Sequence, residues 1–156
     1  MNVLTRLKLV ILLLFTPAAI AQTNPAVSEI LSSKMPPTGV VFEIMEWQND
    51  TFSTLLKDIE DYSAQLKSRH PNIDVAVVSH GSEQFTLLDE NASTHTNIHD
   101  LTKSLVNSGI SVEVCATHAS WNGNTPEDFA EHIGVVERAP IAIQQYQDQG
   151  YTLIRL

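Results

Sequence analysis

Hydrophobic and polar positions follow two alternating patterns from residue 39 to residue 156. Apolar runs rich in β-branched side chains occupy residues 40–44 and 74–79, and a continuous run like the second is typical of a strand covered on both faces. Between the two runs, apolar side chains recur at helical spacing, namely Phe52, Leu55, Leu56, Ile59 and Leu66. The pattern predicts a strand, a helix of about four to five turns that ends near residue 70, and a second strand.

The same alternation continues along the second half of the chain. A second helical stripe, closed by Gly109, is formed by Ile98, Leu101, Leu105 and Val106. Further patterns predict strands at residues 110–115, 135–136 and 151–155, a helix start at Thr125, and a helix at residues 140–149. Strands and helices that alternate with short connections predict an α/β fold, a three-layer α/β/α sandwich with a mainly parallel sheet of about five strands.

The first 21 residues have the pattern of a targeting segment. Arg6 and Lys8 precede an apolar run at residues 9–15, and Ala19-Ile20-Ala21 has the small-x-small pattern of a cleavage site. The run is shorter than the roughly 20 apolar residues that span a bilayer. We therefore expect a cleavable signal peptide at residues 1–21, a periplasmic or secreted mature protein, and no stable membrane anchor after cleavage. An uncleaved anchoring helix is the alternative.

Residues 22–38 lack clear periodicity and contain three prolines, Pro25, Pro36 and Pro37. Such a composition favours a flexible leader between the cleavage site and the folded part of the chain. The predicted organisation is thus a signal peptide at 1–21, a flexible leader at 22–38 and one α/β domain at 39–156.

Charge and cysteine content exclude several classes of protein. Nine Lys and Arg residues stand against 18 Asp and Glu, for a net charge of −9, which is opposite to the positive field that binds nucleic acid. The chain has one cysteine, Cys115, and so can form neither an internal disulfide framework nor a zinc site of several thiolates.

The candidate chemistry lies where strands end. In a parallel sheet, ligands bind outside the carboxyl ends of the strands, and the segments that reach this edge are residues 43–47, 80–82 and 115–118. A thiol there can be activated by imidazole groups, so Cys115 is the candidate nucleophile, with His80 and His118 as its helpers. The alternative is that Cys115 packs as a small buried hydrophobe.

A metal site is a second hypothesis for the same residues. His80, Cys115 and His118 offer two imidazoles and a thiolate, with Glu43 or Glu46 as a fourth ligand. The Cys-x-x-His pair lacks the second spaced pair of specific zinc motifs, so neither a metal nor a cofactor is assigned. Trp47 and Trp121 are predicted either to wall a pocket over the thiol or to pack against the core.

The chain resembles the DsrE/DsrF-like family of small sulfur-relay α/β proteins over residues 40–156. The resemblance lies in the order of six short segments along the chain. These are Val40-Val41-Phe42-Glu43, Val75-Ala76-Val77-Val78-Ser79-His80-Gly81, Val112-Glu113-Val114-Cys115-Ala116-Thr117, Asp128-Phe129, Pro140-Ile141-Ala142-Ile143 and Gln149-Gly150-Tyr151-Thr152-Leu153-Ile154.

The resemblance implies a three-layer α/β/α fold, assembly into homo-oligomers, and a cysteine after a strand that carries sulfur as a persulfide. Cys115 matches the position of that cysteine. The sequence therefore leads to the hypothesis of an exported DsrE-like sulfur carrier, rather than a turnover enzyme, with donor and acceptor proteins as partners. The alternatives are a non-catalytic module that binds a small ligand or metal, and an oligomeric interaction protein, whose lone cysteine can also form an intermolecular disulfide.

Overall fold

A computed structural model describes residues 24–47 and 49–156, in which five parallel strands form one sheet. The strands are β1 (Gly39–Ile44), β2 (Asp74–Ser79), β3 (Ser111–Cys115), β4 (Gly134–Val136) and β5 (Tyr151–Arg155). Their order is β4-β3-β2-β1-β5, and each neighbouring pair is parallel. The predicted α/β fold with a five-stranded parallel sheet is confirmed.

Helices lie on both faces of this sheet. They are α1 (Pro25–Ser32), α2 (Asn49–Arg69), α3 (Thr96–Asn107), α4 (Ala116–Trp121) and α5 (Ala139–Asp148). One large buried cluster joins α1, α2 and α3 to residues such as Phe42 and Val77, whereas a smaller cluster joins α5 to Val41 and Val78. Because neighbouring residues of β1 and β2 enter opposite clusters, these strands are covered on both faces, which explains their mainly apolar sequences.

The prediction of a flexible leader is wrong for residues 25–32, which form α1. Val27 and Ile30 are buried in the large cluster, and Asn24 Oδ1 accepts a hydrogen bond of 2.9 Å from the backbone N–H of Ala26. Pro25 stands in the first turn, where its missing N–H breaks no helical hydrogen bond. The folded domain therefore begins before residue 39, and this proline marks a helix start.

The expected helix at Thr125 is a single turn of 3-10 helix, Pro126–Asp128. Its start is closed locally, since the Thr125 N–H and hydroxyl donate to Asp128 Oδ2 at 2.7 and 3.0 Å. The helix that follows the candidate thiol is α4, which the sequence patterns did not predict.

The predicted signal peptide and the first two residues of the predicted leader lie outside the described residues. In the part of the chain that the structure describes, no helix has the length and apolar character needed to cross a membrane.

Candidate functional site

The register of β2 and β3 brings two of the predicted site residues side by side. Ser79 pairs with Val114, so the next residues, His80 and Cys115, stand opposite each other at the carboxyl edge of the sheet. The N–H of His80 donates to Ile44 O at 3.0 Å, which continues the pairing with β1. Side chains alternate along a strand, so His80 lies on the same face as Val78, two residues earlier. Because Val78 shares the smaller cluster with Cys115, the side chains of His80 and Cys115 both belong to the face covered by α5.

A pocket of about 490 Å³ opens at this edge of the sheet. Its polar and charged lining residues are His80, Cys115, Thr117, His118 and Arg138. Its apolar walls are formed by Met45, Trp47, Trp121, Pro140 and Ile141. The structure thus brings all three predicted site residues to one pocket, together with both tryptophans that the sequence offers as pocket walls.

Cys115 is the last residue of β3 and directly precedes α4. It is 6% exposed and belongs to the smaller buried cluster, which also includes Ala139 and Ile143 of α5. Its N–H donates to Oε1 of the fully buried Gln84 at 2.9 Å, which holds the strand end in place. The thiol is therefore sheltered among apolar side chains and lines the pocket.

The imidazole of His80 is held by a carboxylate. His80 Nε2 lies 3.0 Å from Glu43 Oε1, and because a carboxylate accepts hydrogen bonds, Nε2 carries the proton. Arg155 Nε lies 2.7 Å from Glu43 Oε2 as an ion-pair contact without hydrogen-bond alignment. In the neutral ring of His80, Nδ1 therefore has the free lone pair, which can take up a proton.

The second imidazole, that of His118 in α4, is anchored to the first histidine. His118 Nδ1 donates to the backbone carbonyl of His80 at 2.8 Å, so its Nε2 has the free lone pair when the ring is neutral. Its ring centroid lies 5.2 Å from that of Phe85, 5.7 Å from Trp121 and 6.4 Å from Trp47. Tilted and edge contacts of this kind orient aromatic rings, so the imidazole is fixed at the pocket wall.

A buried glutamate joins the loops that carry these residues. Glu83 is fully buried, and its Oε1 accepts from the Ser79 hydroxyl at 2.7 Å and the Gly81 N–H at 3.0 Å. Its Oε2 accepts from the Glu46 N–H at 2.8 Å. A side chain at position 81 would collide with Glu83 and with the backbone of Glu46, which explains the glycine there.

A second cavity adjoins this pocket. The second cavity, of about 510 Å³, shares Arg138 and Ile141 with the pocket but is lined by neither cysteine nor histidine. Within residues 24–47 and 49–156, no three His, Cys, Asp or Glu side chains are arranged to hold a metal ion. The alternative metal set of His80, Cys115 and His118 is thus not assembled in this structure.

Sequence reasoning missed several residues of the site. Arg138 follows β4 by two residues, so the rule that sites lie beyond strand ends could have found it. Gln84 and Ile141 have no such signal, because a buried amide and one apolar residue of a helix are not distinctive in sequence. Glu43 was considered only as a metal ligand, whereas it contacts His80.

The comparisons with known proteins identify the fold. No family model matches the chain, and no curated protein matches it. The chain is similar to the structure of MTH1491, a protein of unknown function from Methanobacterium thermoautotrophicum, with 24% identity and a TM-score of 0.60 over 76% of this chain and 98% of that one. It is also similar to BT1422 from Bacteroides thetaiotaomicron, likewise of unknown function, with 13% identity and a TM-score of 0.52 over 76% and 95% of the two chains. At these identities the likeness shows the fold alone.

Proposed function

We propose that this chain is an exported DsrE-like sulfur carrier that accepts sulfane sulfur on Cys115 as a persulfide. The observation that supports the proposal is the joint position of Cys115, His80 and His118 on one pocket. Each imidazole has one ring nitrogen committed to a hydrogen bond and one with a free lone pair. Such groups can remove the thiol proton, and the thiolate is the nucleophilic form of cysteine.

The transfer step conserves atoms and charge. An imidazole nitrogen takes the Cys115 proton, and the thiolate attacks the outer sulfur of a donor persulfide, R–S–SH. The donor S–S bond breaks as the new S–S bond forms, and the donor leaves as R–S⁻ with the bonding electron pair. The imidazolium then protonates R–S⁻, so the products are Cys115–S–SH and R–SH. Sulfur changes carrier with no net oxidation or reduction.

The position of the thiol suits a carrier. Cys115 is 6% exposed, and limited access slows reaction of a persulfide with small oxidants and reductants in solution. The pocket in front of it admits a donor group, and Met45, Trp47, Trp121 and Ile141 around it are exposed. We assign this apolar rim to contact with a donor or acceptor protein or with another copy of the chain in a homo-oligomer.

The test is intact mass of the purified mature protein before and after treatment with polysulfide. We expect the native protein to gain the mass of one sulfur atom, the Cys115→Ser variant to gain none, and a thiol reductant to remove the added sulfur. A reduced native protein whose Cys115 is alkylated by a small reagent but takes up no sulfur would contradict the proposal.

A time course of the same assay tests both histidines. His80→Gln and His118→Gln should each slow sulfur uptake by about tenfold or more, because each removes an imidazole that can accept the thiol proton. Glu43→Gln should slow it as well, since the carboxylate that holds the His80 ring is replaced. His95→Gln is the matched control, because this residue does not line the pocket and should react like the native protein.

The apolar walls of the pocket favour a second candidate function, a module that binds a small ligand without transferring sulfur. In that case Cys115 is only a packed wall residue. The Cys115→Ser variant would then retain the native affinity for the ligand, and the native protein would gain no sulfur from polysulfide.

A further inference from the structure

The walls of the Cys115 pocket are mostly apolar and aromatic. Trp47 and Trp121 are 70% and 77% exposed, although tryptophan is usually largely buried. Both indoles lie beside the His118 ring, and Met45, Pro140 and Ile141 complete the apolar wall. Exposed aromatic side chains around a concave site are typical of surfaces that bind an apolar ligand.

The charge of the pocket is opposite to that of the protein. The whole chain has 18 acidic and nine basic residues, yet none of the residues lining the pocket is Asp or Glu. Arg138 lines it and, among the described residues, forms no salt bridge. Glu43, whose carboxylate holds His80, also contacts Arg155. The pocket therefore offers a guanidinium that is free to bind an anionic group.

From these observations we propose that the pocket binds a small organic anion, with an aromatic or branched apolar body against Trp47 and Trp121 and its anionic group at Arg138. A guanidinium binds carboxylates and sulfonates by two parallel hydrogen bonds. This proposed binding site does not depend on a reactive thiol at Cys115. The identification of such a molecule as the R group of the sulfur donor rests on the proposed function.

The size of the pocket agrees with this ligand class. Its volume of about 490 Å³ falls within the roughly 300–1,000 Å³ of small-molecule sites. Inorganic sulfide has one heavy atom and thiosulfate has five, so neither would contact both the indoles and the guanidinium. Both ions are also strongly hydrated, and apolar walls do not replace their hydrogen bonds to water.

The experiment compares two fluorescent probes that differ by one sulfonate group. Anilinonaphthalene sulfonate has the aromatic body with a sulfonate, and N-phenylnaphthylamine has the same body without it. The chain contains two tryptophans, and both line the pocket, so a probe bound at this site should change the tryptophan emission. We expect the sulfonate to bind more tightly than the uncharged probe, and thiosulfate to displace neither.

The variant Arg138→Gln tests whether the guanidinium binds the anionic group. Arg138→Gln should weaken sulfonate binding by about tenfold, as expected for the loss of charge-assisted hydrogen bonds at a partly exposed site, and should leave binding of the uncharged probe unchanged. Lys57→Gln, which removes one positive charge from the exposed face of α2, is the matched control and should bind both probes like the native protein. Circular dichroism verifies that each variant is folded.

Two results would overturn the inference: equal affinity of the native protein for both probes, or equal weakening of both by Arg138→Gln. Displacement of the sulfonate by thiosulfate would overturn the exclusion of thiosulfate as a ligand. Binding of the sulfonate probe without sulfur uptake from polysulfide would contradict the proposed function alone. Sulfur uptake, combined with probe binding that depends neither on the sulfonate nor on Arg138, would contradict this inference alone.

Discussion

Glu83 illustrates how one residue can determine the geometry of the site without lining it. Its carboxyl group is fully buried and accepts three hydrogen bonds, from Ser79, Gly81 and the backbone of Glu46. Two of these donors flank His80, and the third precedes Trp47, so the loops that follow β1 and β2 are held together. A buried carboxyl group is stable only when its hydrogen bonds are satisfied, and here both oxygens are.

Replacement of this carboxyl group should destabilise the fold strongly. We expect Glu83→Ala to lower the free energy of unfolding by about 3 kcal/mol or more, because three buried donors lose their acceptor. Urea denaturation followed by tryptophan fluorescence measures this loss. Glu90→Ala, at an exposed residue of the short 3-10 helix Asp89–Asn91, is the control and should change stability by less than about 0.5 kcal/mol. A loss below about 1 kcal/mol for Glu83→Ala would contradict this role.

At the scale of elements, α1 shows how a segment with a weak sequence signal is stabilised by tertiary contacts. The helix has eight residues, which is too short to be stable alone in water. Val27 and Ile30, three positions apart on one face, are buried in the large cluster with α2. His70, just after α2, supplies a further tie, since its Nε2 lies 3.0 Å from the carbonyl oxygen of Ile30.

Truncation of one of these contacts should therefore be measurable in the stability of the whole domain. Ile30→Ala should lower the free energy of unfolding by about 2–4 kcal/mol, through lost burial and the cavity left behind. Met35→Ala, at an exposed residue of the same segment, should have almost no effect. Equal stability of the two variants in chemical denaturation would show that α1 does not contribute to the folded core.

At the scale of the molecule, the two faces of the sheet are covered unequally. Residues of α1, α2, α3 and α4 belong to the large cluster on one face, whereas α5 covers the other. Polar side chains also lie on the face covered by α5. Tyr146 of α5 donates to Glu113 of β3 at 3.0 Å, and its ring centroid lies 5.0 Å from that of Tyr151. Burial, and next the charge of Glu113, raise the pKa of Tyr146 to about 12. Burial, and next the charge of Asp74, also raise the pKa of Tyr151.

These raised pKa values predict a loss of stability in alkali. Below pH 10 both tyrosines are protonated in the folded and the unfolded chain, so their contribution is fully present. As the pH rises from 10.0 to about 12, the unfolded chain loses the Tyr146 proton while the folded chain retains it, so the free energy of unfolding falls. Urea denaturation at a series of pH values measures this slope.

A single substitution tests whether Tyr146 causes the fall in the free energy of unfolding in alkali. Tyr146→Phe should reduce the slope, because the group that titrates differently in the two states is removed. Tyr62→Phe is the control on the opposite face of the sheet, where Tyr62 packs against Phe42. A slope that is unchanged by Tyr146→Phe would show that other groups cause the alkaline loss.

Sequence patterns predicted well those parts of the fold that depend on neighbouring residues. The predicted strand at residues 74–79 is β2, and the strand at 151–155 is β5. Gly150 was expected to stop a helix, and it adopts a φ of +89° just after α5, a conformation that favours glycine. The position of His80 and Cys115 at one sheet edge also follows from sequence, because carboxyl ends of parallel strands share an edge.

What the sequence by itself determined about this protein is the identity of most strands and helices and their succession along the chain, the parallel sheet, and the edge at which the thiol and the histidines meet. These features follow from hydrophobic periodicity and turn residues, which act over a few positions along the chain. Only the tertiary structure decided that α1 belongs to the core, that Glu43 holds His80, and that Arg138, Trp47 and Trp121 share the pocket with Cys115. These contacts join residues distant in sequence, and they depend on strand order and helix packing, which no local pattern encodes.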